Sequence, residues 1–100
     1  MGTKAERRAA GQQVAAYHEA QLAALVQRVA EAVDRHRDGE LDVFGADEVI
    51  FQYQRAARQL WTFCQGAGSR VEFTAQIIRR MAEDGEPVDW WERGRPHRRS

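Results

Sequence analysis

Ala46-Asp47-Glu48-Val49-Ile50-Phe51-Gln52-Tyr53-Gln54-Arg55-Ala56-Ala57-Arg58-Gln59-Leu60-Trp61-Thr62-Phe63-Cys64 is the stretch on which the fold turns. Its apolar residues return every three or four positions: Val49, Ile50, Tyr53, Ala56, Ala57, Leu60, Trp61, Phe63 and Cys64. At the pitch of an α-helix they share an arc of about 160°. One neighbouring helix covers less than that, so this segment is expected to be the central element. Asp47 and Glu48 suit the positive end of a helix dipole and place the start near Ala46 or Asp47, with the end by Gly66. Trp61 falls on the apolar arc and reads as packing. Phe51 falls about 160° from the arc's centre, beside Arg55 and Arg58, and reads as a contact for a partner.

Upstream, Val14, Ala15, His18, Leu22, Leu25, Val26, Val29, Ala32, Val33 and His36 form a second stripe, predicting a helix over residues 12–37. Asp38-Gly39 is its expected stop, with Arg35, His36 and Arg37 at the negative end of the dipole. Residues 1–11 are small and polar, and a flexible N-terminal segment is expected there. Downstream, Ser69 and Glu72 have the spacing of a capping box, which opens a third helix ended by Gly85. Its inner face is Val71, Thr74, Ala75, Ile78, Met81 and Ala82, with Phe73 and Ile77 beside it. Pro87 is placed to open a short turn that folds Trp90 or Trp91 back onto the helices. Residues 93–100, with four arginines and no acid, have nothing to bury and are expected to form a disordered basic tail.

These segments predict an all-α chain, a three-helix antiparallel bundle with a long first helix, carried by residues 12–92. The first helix would be about 39 Å long and the third about 22 Å, so part of the first stripe should overhang its partners. Leu22, Leu25 and Val29 are the expected self-association surface of a homodimer.

Composition narrows the function. The 100 residues are enough for one domain, and no apolar run approaches the span of a bilayer. No secretion signal opens the chain and Cys64 is its one cysteine, so a cytoplasmic location is expected. Fifteen basic and fifteen acidic residues cancel, leaving no global field for nucleic acid or an anionic membrane.

Catalytic chemistry finds little support. Cys64 lies near the C-terminal end of its helix, where the dipole opposes a thiolate, and no phosphate loop, nucleophile elbow or paired metal motif occurs. The stretch Asp34–Asp42 resembles an EF-hand calcium loop, with Asp34, Asp38, Gly39, Leu41 and Asp42 at loop positions one, five, six, eight and nine. The third position is His36 and the twelfth is Gly45, so the ligands that decide calcium binding are missing. His18 and His36 are about 27 Å apart along one helix, too far to share a metal. No catalytic residue, cofactor or metal is therefore assigned.

What remains is binding. The expected function is a helical protein–protein interaction module, a homodimeric accessory or regulatory subunit, with Phe51, Trp90, Trp91, Arg93 and Arg95 facing a protein partner. The competing reading is a small DNA-binding regulator, in which the second and third helices form a helix-turn-helix. Arg70, Gln76, Arg79 and Arg80 would then make the contacts and the basic tail would reach phosphates. Glu72 and Glu83 on the same side of the third helix oppose it.

Overall fold

A computed structural model of the protein describes residues 3–65 and 70–96. Within them the chain is all-α, with α1 over Lys4–Arg37, α2 over Val43–Gln65, α3 over Val71–Asp84 and a short α4 over Trp90–Arg93.

α1 begins much earlier than its apolar stripe. Thr3 Oγ1 accepts the Glu6 N–H at 3.1 Å and Glu6 Oε1 accepts the Thr3 N–H at 3.3 Å, a reciprocal cap that satisfies two otherwise orphaned donors. Residues 4–11 are thus helical, contrary to the flexible segment expected there. Packing supports the cap, because Ala10 is buried and Arg7 faces Glu72 of α3 at 3.9 Å. The full 34-residue helix is about 51 Å long. It accounts for the 54 Å long axis of the molecule.

The turn after α1 lies where Asp38-Gly39 places it. α2 then starts earlier than the acids at 47–48 suggest, because the Asp42 side chain accepts the Gly45 N–H at 2.7 Å and caps the first turn. α3 ends at Gly85, whose φ of 66° is the left-handed conformation that glycine adopts without a Cβ penalty. Ser69 of the expected capping box lies outside the described residues. α4 is opened by Asp89, which accepts the Glu92 N–H at 3.2 Å, and not by Pro87. The expected disordered tail is structured at its start, because Arg93 closes α4, the buried Gly94 accepts from Arg55 through its carbonyl, and Arg95 pairs with Glu92. Residues 97–100 lie outside the described residues.

The helices are arranged around α1. α2 runs back along it, bringing Trp61 to His18 and Phe63 to Tyr17. α3 lies on the N-terminal part of α1, and α4 docks mainly on α2. α2 and α3 scarcely touch each other, so α1 is the spine of the assembly and the breadth of α2's apolar arc is not used on α3.

The core along this spine is lean. Of the eleven buried apolar residues among those described, six are alanines: Ala10, Ala32, Ala46, Ala56, Ala57 and Ala75. Small side chains let the helix axes approach closely, but each removes little apolar area from water. The large buried side chains Leu25, Leu60 and Trp90 therefore carry a disproportionate share of the hydrophobic stabilisation.

Candidate functional site

The expected self-association stripe does not stand free. Leu25 is 3% exposed, and Leu22 and Val29 are half-buried by their own chain. α2 runs antiparallel over this face for most of its length, so the overhang predicted from helix lengths falls elsewhere. Leu25 has nothing to offer a second copy.

Exposed apolar surface lies instead along one margin of the α1–α2 pair. Val43, Ile50 and Trp61 share an edge of α2, at roughly 70° from the centre of its buried face. They are 58%, 38% and 48% exposed. Across the seam, α1 presents Val26, 49% exposed, with half-buried Leu22, Val29 and Val33 around it. α3 and α4 pack on the other side, through Tyr17, Arg28 and Gln52, and leave this margin open. Trp61 is thus only partly packing: it meets the His18 ring edge-on at 4.4 Å and gives its remaining surface to solvent.

His18 sits under Trp61, buried, with its Nε2 atom lacking a hydrogen-bond partner among the described residues. A buried polar atom with no partner retains its desolvation cost, about 1–3 kcal/mol. His18→Leu is accordingly expected to raise stability by about 1 kcal/mol once the lost ring contact is set against that cost. A urea midpoint unchanged or lowered in this variant would show that the ring is satisfied. His36, placed on the apolar stripe by its spacing, is in fact exposed, and its Nδ1 lies 2.9 Å from the Leu41 carbonyl oxygen in the inter-helix turn.

The two adjacent tryptophans divide. Trp90 is buried, its Nε1–H donates to Tyr17 Oη at 2.8 Å, and its ring tilts against Phe63 at 5.4 Å between centroids. Its polar and apolar parts are both satisfied inside the chain, so it is removed from the expected partner surface. Burial lifts the Tyr17 phenol above its ordinary range, against the downward pull of the Trp90 bond. Trp91 is half-buried beneath the Arg28 guanidinium at 5.4 Å, and its carbonyl accepts from Gln52 Nε2 at 2.9 Å. Phe51 is exposed on the outer face of α2, as is Phe44 two turns earlier at 75% exposure.

Arg93 and Arg95 are exposed and belong to a basic cleft. Arg55 of α2 donates through Nε to the Gly94 carbonyl at 2.6 Å, which ties the α4 segment down beside Arg58. Arg93 lies 5.7 Å from the Trp90 ring centroid and Arg95 meets Glu92 at 2.8 Å.

Among the described residues no cluster of three potential metal ligands occurs. In the loop resembling an EF-hand, Asp42 is already engaged in capping α2. Cys64 is buried, and burial pushes its thiol up to about 11, away from the thiolate a nucleophile needs. Arg70, Gln76, Arg79 and Arg80 are all exposed on or beside α3, but α3 is held by α1 and scarcely meets α2. A helix-turn-helix holds its second helix across its first, and that arrangement is not formed here. A shallow groove of about 540 Å³ along the outer face of α3 mixes Phe73 and Ile77 with Arg80, Glu83 and Glu86, and no set of polar groups converges in it.

Comparisons of this chain with known protein families, with curated proteins and with solved structures return no match.

Proposed function

We propose that this protein is a non-catalytic helical protein–protein interaction module that self-associates and serves as an accessory or regulatory subunit. The observation that carries this reading is the open margin of the α1–α2 pair, where Val26, Val43, Ile50 and Trp61 are exposed together. Apolar side chains left exposed along one margin cost hydration free energy in the monomer, and their burial by a second copy removes that cost. In a two-fold dimer the strip would pack on itself, each seam receiving the other's Trp61. Phe44 and Phe51, on the opposite outer face of α2, and the half-buried Trp91 remain available to a different protein. No helix among the described residues is long and apolar enough to cross a membrane, so the strip is not a spanning surface.

Light scattering of the whole chain is expected to report about twice the 11.4 kDa monomer mass. Ile50→Glu and Trp61→Glu each alter an exposed position, so they should return the protein to a monomer with its helical circular dichroism intact. Leu25 is unsuited to this test, because a charge there would unfold the monomer itself. A monomeric mass persisting at about 1 mM, where association of only about 4 kcal/mol is already substantial, would exclude self-association.

A further inference from the structure

We propose that the cleft between α2 and the α4 segment, walled by Arg55, Arg58, Arg93 and Arg95, is a binding site for a small phosphate-bearing anion. The cleft has a volume of about 310 Å³ and is completed by Thr62 and Pro96. Such a volume is at the lower end of small-ligand sites and accommodates a diphosphate-sized group.

Charge selects the ligand. Four arginines line the cleft; Arg95 pairs with Glu92, and the other three have no carboxylate partner among the described residues. Gathering like charges in one concave site is unfavourable in the empty protein, and a multivalent anion reverses the sign of that energy. Arginine forks match the oxygen geometry of phosphate in pairs, which a single carboxylate ligand uses less fully.

The site is also partly organised in advance. Arg55 is fixed by its 2.6 Å bond to the Gly94 carbonyl, and Arg93 is laid toward the buried Trp90 ring. Ordering these long side chains is a cost that a ligand would otherwise meet on binding. Arg58 has neither an ion pair nor a side-chain hydrogen bond among the described residues, and it supplies the free fork.

Calorimetric titration of the full chain with pyrophosphate at low salt tests the assignment. Saturable binding with one site per chain is expected, weakening several-fold as sodium chloride rises from about 50 to 200 mM. Arg58→Gln and Arg93→Gln should each weaken it about ten-fold, equivalent to about 1.4 kcal/mol, while Arg79→Gln on α3 changes nothing. Circular dichroism checks that each variant keeps its fold. Absence of saturable binding up to about 10 mM pyrophosphate overturns the proposal, as does binding indifferent to both cleft variants. Tighter binding of succinate than of pyrophosphate would reassign the cleft to carboxylates. Duplex DNA binding at lower concentrations than pyrophosphate, and lost in the same variants, would give it to a nucleic-acid backbone.

Discussion

Trp90→Ala is expected to lower the stability of this protein by about 3–5 kcal/mol, the range for deleting a buried tryptophan. Domains of this size have only about 5–15 kcal/mol in total, so the variant should be close to unfolding at 37 °C. The effect is large here because the core around it is lean. Most buried apolar positions are alanines, and Trp90 is the side chain through which α4 reaches Tyr17 of α1 and Phe63 of α2. Its loss leaves a cavity that small neighbours fill poorly, and it strips the Tyr17 hydroxyl of a donor. Trp90→Phe separates the two contributions, since it keeps most of the apolar volume and removes only the hydrogen bond. That variant should lose about 1–2 kcal/mol. Urea unfolding followed by far-ultraviolet circular dichroism reads both. A Trp90→Ala midpoint within experimental error of the parent would mean that α4 contributes nothing to the fold.

Gly94→Ala should be the second most damaging change, at about 1–3 kcal/mol, although it adds only one methyl group, because Gly94 is buried at the end of α4 against α2. The reason is proximity, not backbone conformation, since Gly94 has an ordinary φ of −84°. A Cβ at this position would lie 2.5 Å from the Gln52 carbonyl oxygen and 2.7 Å from both the backbone nitrogen and the Cβ of Ala56. Two of these atoms are helix backbone and cannot rotate away. The α4 segment must therefore lift off α2, breaking the Gln52–Trp91 and Arg55–Gly94 bonds together. Besides a lower urea midpoint, the variant should show red-shifted tryptophan fluorescence before any global unfolding. Parent-like fluorescence and stability would show that the approach of the two backbones is looser than described.

Both expectations rest on a segment whose role was only half legible in the sequence. Adjacent tryptophans after a proline announce that something folds back, but periodicity does not say which ring goes inside. That choice depends on Tyr17 and Phe63, distant in the chain and brought together only when α2 returns along α1. Trp61 illustrates the reverse error. It lies on the apolar arc of its own helix, yet no third helix arrives at that edge, and half its surface stays in water. Helical spacing identifies which residues share a face; it does not count the neighbours that come to cover it.

The N-terminus gives a different lesson. Thr3 and Glu6 carry the same capping-box spacing as Ser69 and Glu72, so the early start of α1 was present as a local signal. The small, polar composition of residues 1–11 points the other way. The cap prevails because α3 lies along that turn and buries Ala10 there.

By itself the sequence determined the helical character of the chain, the two inter-helix stops at Asp38-Gly39 and Gly85, and the absence of a recognisable catalytic motif. These are properties of hydrophobic spacing, backbone propensity and capping, all of which act within a few residues. Tertiary structure alone decided that α1 is a spine, that Leu25 and Trp90 are interior, and that the open apolar margin runs through Val26, Val43, Ile50 and Trp61. It also gathered Arg55 and Arg58 with Arg93 and Arg95 into one cleft, from positions about forty residues apart. Exposure and charge clustering depend on which helices pack against which, and that is settled by the summed burial of the whole chain and not by any one segment of it.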